Sequence, residues 1–549
     1  MSTQPSVLIV GSGPSGLVAA LTFLQNNIPI RIIDKSPSPH PSSRGSGIMP
    51  RTQDLLHQLG ATDLVEALEP MVPIRTYKPG GLEIERDFLM FTPKEGTPHF
   101  PYMNPKMMGQ SGTEAYLRGH IAKFSCQVEY GTELRSLEQK EDGVVAHIAK
   151  KIGDQETLEI ISVQYLIGAD GAKGTVRRQL DLPFVGNTQD DVRTVLGDIC
   201  LTAEGVDRQH IHRFGDPKAA LAVLLPSREV DDQNDGWQVV VADPTKDMAI
   251  LANDETELVN CIKAIVPVEV KFRKLVSVGE WRPNVRMTNT FSVGRVFICG
   301  DAAHVHSPAG GQGLNSGIQD SINIAWKLSL VIKHLSPPSL LETYSAERVP
   351  VISEMLNLTT EMFYRNRNFS SSGNGFERPE KLRMHGVNYR SSSVVLEERN
   401  PGLPETPAYG DAVEGEGRVL VAGDRAPDAP ALVDGEGTKY RLFDLFKMTH
   451  HTVLVFAPSL DSAKPVLDAL AARAGGTVKP VVVLPQAASL LSVDEIDALI
   501  VSDGEDYAYS GYQVKQGETY AVAVRPDGFI GAITASVEGV QSYFSKVLL

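Results

Sequence analysis

The segment VLIVGSGPSGLVAALTFLQ, residues 7–25, limits the fold more than any other stretch. Val7 to Val10 form an apolar run of the length expected for a short strand buried on both faces. Gly11, Gly13 and Gly16 make G-x-G-x-x-G, and Leu17, Ala20, Leu21 and Leu24 then recur at i, i+3, i+4 and i+7, one stripe of a helix. A second strand, Ile30 to Ile33, ends at Asp34, eighteen residues after Gly16. The glycines permit a tight turn, close approach of a pyrophosphate and close helix–strand contact, and an acid at Asp34 is placed to hold an adenosine ribose. Strand, glycines, helix, strand and acid in this order predict a βαβ unit that binds a dinucleotide. A glycine turn kept for structure alone is the competing reading.

Two later stretches suit the same ligand. In VFICGDAAHVHSPAGGQGLNSGIQDSINIAW, residues 296–326, a strand from Val296 to Cys299 runs into Gly300 and Asp301. A loop with Pro308, Gly310, Gly311 and Gly313 follows, then a helix with Ile318, Ile322 and Ala325 on one face. Asp301 can accept hydrogen bonds from ribose-like hydroxyls, and the unpaired N–H groups that open the helix suit a ring that becomes an anion on reduction. In YLIGADGAKGTVRRQL a strand from Tyr165 to Ile167 ends in Gly168, Asp170 and Gly171, before a helix carrying Arg177 and Arg178. Arg44, on a Pro/Ser-rich loop, and Arg51, ahead of a helix with Leu55, Leu56 and Leu59, can neutralise a pyrophosphate by a forked contact. Taken alone, either reads more readily as a solvated surface arginine. Gln110, opening a helix with Ala115, Leu117 and Ile121, can hydrogen-bond a polyol.

Composition removes other classes of function. The formal charge of -15 argues against nucleic acid or an anionic membrane surface as partner. Cys126, Cys200, Cys261 and Cys299 lie far apart with no C-x-x-C pair, so neither a disulfide framework nor a metal site is expected. No run of 18 apolar residues and no signal-peptide pattern is present, which predicts a soluble cytoplasmic protein. A length of 549 residues suggests several domains.

G-x-G-x-x-G near the start, G-A-D-G in the middle and G-D-A-A-H…P-x-G-G-Q-G-L-N later, in this order, resemble the single-component FAD-dependent aromatic hydroxylases, typified by p-hydroxybenzoate hydroxylase and phenol 2-monooxygenase. The match covers roughly residues 5–365. The resemblance implies FAD held by Gly11, Gly13, Ser15 and Gly16 at its ADP half, with Asp34 and the adjoining Lys35 at the ribose. It implies Arg44 at the pyrophosphate, Gln110 and Asp301 at the ribityl chain, and Leu134 beside the adenine. Pro308, Gly311, Gly313, Leu314 and Asn315 would lie along the isoalloxazine, with Pro308 helping to position the reacting ring. Asp170 is associated in the family with both FAD and NAD(P)H, NADPH being favoured here over NADH. Gly174 stands where a small polar residue is usual, which weakens the expectation for local contacts to the pyridine nucleotide.

The implied reaction is hydroxylation of a small phenolic substrate by O₂, ortho to the phenol oxygen or para with loss of a carboxylate, through a flavin C4a-hydroperoxide. The implied architecture is mixed α/β (α+β). A Rossmann-like FAD-binding domain (1–190 and 285–365) carries an inserted antiparallel substrate sheet (191–284, with 71–105 contributing). A linker (366–418) then leads to a thioredoxin-like domain (419–549) that has no dithiol and would support a homodimer. His210, His212 and Phe214 alternate onto one face of the inserted sheet, and His212 is the candidate for the substrate pocket, although a structural histidine is the commoner case. A histidine or tyrosine from residues 77–102 or 210–214 is expected to handle the phenol proton, and no arginine is evident to clamp a substrate carboxylate. Trp237, Trp281 and Trp326 stand alone, so the W-x-W-x-I-P pattern of flavin halogenases is missing. An FAD-dependent epoxidase or hydroxylase of a non-aromatic metabolite would share every motif.

Overall fold

The computed structural model describes the chain except for residues 1–3, 43–44, 154, 189–191, 217–218, 231–232, 308–309, 369–377, 405, 413–417, 472–475 and 487–496. Arg44 and Pro308 therefore lie outside the described residues. The glycine-rich start folds as a six-stranded sheet with β1 (Val7–Val10) inside it, between β2 (Ile30–Asp34) and β3 (Tyr165–Gly168). Beyond β3 lies β4 (Val296–Ile298), and all these neighbours are parallel. The apolar run of β1 is buried, with α1 (Pro14–Gln25) and α2 (Gly313–Ile332) packed against each other beside the sheet and Val144, Ala146, Ile148 and Ile161 of an antiparallel three-stranded sheet in the same core. Register fixes where the turns emerge. Val10 pairs with both Ile33 and Gly168, and Gly168 pairs with Ile298. The turns after β1, β3 and β4 therefore leave the same edge of the sheet side by side, where open α/β sheets bind ligands.

A seven-stranded sheet comes next, running in space from Val270–Trp281 through Thr194–Ala203, Gly236–Ala242, Leu221–Pro226 and Ile211–Gly215 to Ile74–Tyr77 and Ile84–Phe88. It is antiparallel except where Ile211–Gly215 meets Ile74–Tyr77. The helices Met248–Leu251 and Glu255–Ile265 cover one face, burying Phe214, Ala222, Leu224, Trp237, Val239 and Val241. By alternation Leu221, Val223, Leu225 and Val240 point to the other face, where each is half-buried.

The C-terminal sheet has five central strands in the order Leu499–Asp503, Val478–Pro485, His451–Phe456, Tyr520–Val524 and Ile530–Thr534. The first three are parallel and the last two antiparallel, with helices Leu460–Ala471 and Val537–Val547 completing a thioredoxin-like βαβ…ββα arrangement. No cysteine follows Cys299, so the dithiol chemistry associated with this fold is excluded.

This domain joins the first through buried charge. Arg525 donates to Glu347 at 2.8 Å and to Asp527 at 2.6 Å, Lys327 bonds Glu347 at 2.7 Å, and the Trp326 indole donates to Asp527 at 3.0 Å. Arg51 belongs to the same junction. It is wholly buried and donates to the Asp527 carbonyl at 2.9 Å, so neither a pyrophosphate nor a solvated surface is its partner. Beside it, Arg425 pairs with Asp54 at 2.6 Å. The crossing segment is loop-rich, and residues 382–389 of it are packed, with Leu382, Met384, Val387 and Tyr389 buried in the core.

Candidate active site

A cleft of about 270 Å³ opens where the turns after β1 and β3 meet the end of β2, lined by Gly11, Ser12, Gly13, Asp34, Lys35, Gln110, Glu114, Leu134, Asp170 and Gly174 among others. Asp34 and Asp170, separate in sequence, share it. Asp34 is oriented by the Ser12 hydroxyl and backbone N–H, both donating at 2.8 Å, and by the Ser36 N–H at 2.9 Å. Gly11 holds φ +106° and its N–H donates to the Ile33 carbonyl, which closes the turn against β2. A side chain on Gly16 would collide with the Gly11 carbonyl, whereas one on Gly13 would meet no atom within 4 Å. Gly13, which lines the cleft, therefore borders open space. Asp170 Oδ2 accepts the Thr175 and Val176 N–H groups at 2.6 and 3.0 Å, while its buried Oδ1 has no protein partner. Burial pushes the Asp170 carboxyl above its ordinary range. A side chain on Gly174 would strike that carboxylate, so the absence of the usual polar residue there leaves room for Asp170.

Asp301 does not line this cleft. It lies in the short turn Gly300–Ala302 at the end of β4 and is exposed. The turn is locked to α1, since a side chain on Gly300 or on Gly317 of α2 would crowd the Ser15 hydroxyl. Ser15 thus faces this helix crossing, and its place in the first turn of α1 leaves its backbone N–H toward the ligand end. Asn315 in the first turn of α2 accepts from the Met49 N–H and donates to the Gly47 and Gly311 carbonyls, each at 2.8 Å. Its side chain is spent in holding residues 47–49 against the glycine loop. Leu314 sits beside Gly45, and a side chain on Gly313 would collide with His306.

Sequence patterning did not single out the residues that brace this loop. Gln312, fully buried, donates to the Gly310 and Leu382 carbonyls and accepts from the Tyr409 hydroxyl at 2.7 Å. Asp320 accepts from His304 and Arg348, both at 2.7 Å, and from the Gly300 N–H at 3.1 Å. Arg348 and His304 hold the Asp320 carboxyl down at about 2 against the opposing effect of burial. Burial, with His304 adding to it and the Ser307 carbonyl opposing, pushes His306 down to about 4, so it stays neutral at physiological pH.

The proton-handling candidates are tied elsewhere. His212 is fully buried on the helix-covered face with Phe214 and Trp237. Its Nε2 bonds the Asp207 carbonyl at 2.7 Å, so Nδ1 accepts from the Tyr77 hydroxyl at 2.6 Å. Burial holds its pKa below the ordinary histidine value. The geometry makes it a structural link between strands and not part of a pocket. Tyr102 bonds His57 at 2.7 Å, with its own hydroxyl pushed up to about 12 by burial, and His210 bonds Asp207 at 2.8 Å. His212→Phe is expected to destabilise the protein by about 1–3 kcal/mol, because the half-buried Tyr77 hydroxyl and Asp207 carbonyl lose their partner. The pH profile of turnover should stay unmoved, and a shifted profile would restore a proton-handling role.

The family described as an FAD binding domain matches residues 4–359. Over 99% of its length the chain is 31% identical to a flavin-dependent monooxygenase of Mycobacteroides abscessus, all of which is covered. The chain belongs to the FAD-dependent aromatic monooxygenases. This monooxygenase is also 29% identical to pentachlorophenol 4-monooxygenase of Sphingobium chlorophenolicum, across 97% of this chain and 94% of that one. Its fold matches the flavin-dependent monooxygenase PieE, solved with FAD and substrate, at a TM-score of 0.80 over 99% of both chains and 22% identity. Aklavinone-11 hydroxylase, solved with FAD and aklavinone, matches at 0.77 over the full length of both with 23% identity. The monooxygenase's cleft suits its cofactor: an orphaned carboxylate oxygen, a glycine that borders open space and an oriented acid are the features a dinucleotide requires. Among the described residues no helix is long and apolar enough to cross a membrane.

Proposed function

We propose that this monooxygenase hydroxylates a phenolic ring, ortho to the phenol oxygen or para with loss of a carboxylate, using NAD(P)H and with NADPH preferred, as a cytoplasmic homodimer. The reading rests chiefly on the register that brings the turns after β1, β3 and β4 to one sheet edge. Bound FAD, once reduced by NAD(P)H, supplies the electrons that activate O₂ and so the oxygen atom that the ring receives. The chain's own residues bind and orient. Asp34 would hold the adenosine ribose with Lys35 beside it, Gly11, Gly13 and Gly16 would let the pyrophosphate approach, and Leu134 would flank the adenine. Arg44 would neutralise the pyrophosphate, and Gln110 and Asp301 would hold the ribityl hydroxyls. Gly311, Gly313, Leu314 and Asn315 would offer backbone to the reacting ring, with Pro308 on the same loop.

The half-buried apolar face of the seven-stranded sheet, with Leu221, Val223, Leu225 and Val240, would pack against the substrate ring and exclude water. Arg213 alternates onto this face, but Asp216 and Glu85 answer its charge. That favours a phenol with apolar substituents over a bare aromatic acid. One full-length relative, pentachlorophenol 4-monooxygenase, is named for a phenol, which agrees. The test is consumption of NADPH and NADH by the purified holoenzyme across a panel of alkyl phenols, hydroxybenzoates and non-aromatic olefins, with mass spectrometry of the products. We expect fast consumption with alkyl phenols and a product richer by one oxygen. Turnover of olefins alone overturns the phenolic reading.

A further inference from the structure

We propose that Glu114 is a positioning residue: it ties back the amide nitrogen of Gln110 so that the Gln110 carbonyl oxygen faces the cleft, as an acceptor reserved for a hydroxyl of the cofactor's polyol chain. The inference rests on FAD as the ligand of the cleft and on Gln110 reaching its ribityl segment.

Gln110 opens the helix Gln110–Ala122, and Glu114 stands one turn further on the same face. Both line the cleft, and Glu114 is only 4% exposed. Gln110 Nε2 donates to Glu114 Oε1 at 2.8 Å, and Arg118, another turn on, places Nη1 3.6 Å from Glu114 Oε2. In its ionised form, the one populated above about pH 7, Glu114 only accepts hydrogen bonds, so it selects the NH₂ end of the amide and settles which way Gln110 is flipped. The remaining oxygen, Gln110 Oε1, faces the gap where Gly45 meets Leu314. A Cβ on Gly45 would lie 3.8 Å from that oxygen and 3.9 Å from the Leu314 Cβ. This gap joins the dinucleotide cleft to the glycine loop at the start of α2. A carbonyl oxygen presented there accepts from a hydroxyl and repels a phosphate oxygen, so it discriminates the polyol chain from the pyrophosphate beside it.

Stability alone does not account for Glu114. Burial opposes its ionisation and raises the carboxyl to about 7, despite Gln110 and Arg118. Carboxyls perturbed in this way inside clefts concentrate at functional sites.

The test is a double-mutant cycle on the full chain stripped of flavin, with FAD affinity read by quenching of flavin fluorescence and ADP affinity by calorimetry. Glu114→Ala should weaken FAD about tenfold, the size of one lost oriented hydrogen bond, and leave ADP within about twofold. In a Gln110→Ala background the same change should have no further effect on FAD. Glu114→Gln, which keeps an acceptor oxygen in place, should recover most of the affinity. If the alanine variant does not fold, Glu114→Leu, close in volume, carries the same expectation. Equal losses for ADP and FAD, additive losses in the cycle, or unchanged FAD affinity in Glu114→Ala each overturn the proposal. Failure of the unmutated chain to bind FAD would instead remove the cofactor reading beneath it.

Discussion

Replacing Glu347 with glutamine is expected to cost about 3–5 kcal/mol of folding stability, the range for breaking a buried ion pair by removing one partner. Glu347 accepts from Arg525 through both oxygens at 2.8 Å, from Lys327 at 2.7 Å and from Asn323 at 2.7 Å, and the Ser392 hydroxyl adds a further bond at 2.6 Å. Neither cation is exposed. Neutralising the carboxylate leaves two desolvated cations to share Asp527, and water cannot enter to compensate. Urea denaturation of the holoenzyme, followed by flavin release and by near-ultraviolet circular dichroism, measures the loss. A Glu347→Leu/Lys327→Met double variant should lie closer to the parent than Glu347→Leu alone, because charge and counter-charge leave together and Arg525 keeps Asp527. A cost below about 1 kcal/mol for Glu347→Gln would show that the junction is solvated.

The same clusters set an acid limit. Arg525 and Lys327 hold the Glu347 carboxyl far below its ordinary 4.5, and Arg348 and His304 hold Asp320 at about 2 against an ordinary 3.8. A carboxyl depressed on folding contributes its full stabilisation above the unfolded value and loses it as pH falls through the folded one. The share held by these carboxylates should therefore be level from neutrality down to about pH 4.5 and fall steeply below it, whereas the histidines buried neutral, His306 at about 4 and His385 at about 3, already lose theirs as pH falls below their ordinary 6.5.

Local features were legible because local chain geometry sets them. The spacing of Gly11, Gly13, Gly16 and Asp34 belongs to a single βαβ unit, and the apolar runs at Val7–Val10, Val296–Ile298 and His451–Phe456 mark buried strands. Features decided by which surfaces meet were not legible. Arg51 opens a helix that reads as amphipathic, yet its polar side is buried because residues 425 and 527, some four hundred positions later, fold over it. Glu347 and Arg525 are 178 residues apart and show no periodic relation. For His212 the alternation with Phe214 was plain, but alternation cannot say which side of a sheet the helices will cover. The helix Glu255–Ile265 made that choice by covering the His212 side. Glu114 left a faint trace, a carboxylate one helical turn after a glutamine, which acquires meaning only once both are seen to line one cleft.

Gly13→Val should yield a folded protein without flavin. Gly13 adopts φ -67° and ψ 178°, extended backbone that any residue takes up, so no strain accompanies the change. Its Cβ would find no protein atom within 4 Å, so the stability of the flavin-free protein should move by no more than about 0.5 kcal/mol. The new side chain occupies instead the space in which a pyrophosphate must approach the turn, and we expect FAD affinity to fall by at least about 100-fold. Thermal unfolding separates the two effects. Saturating FAD should raise the melting temperature of the parent by mass action and leave that of the variant unchanged. Gly16→Val supplies the contrast, since its side chain would collide with the Gly11 carbonyl and damage the turn whether or not flavin is present. If Gly13→Val purifies with a full complement of flavin, the empty space beside Gly13 is not where the pyrophosphate passes, and the cofactor enters by a route other than the common edge of β1 and β3.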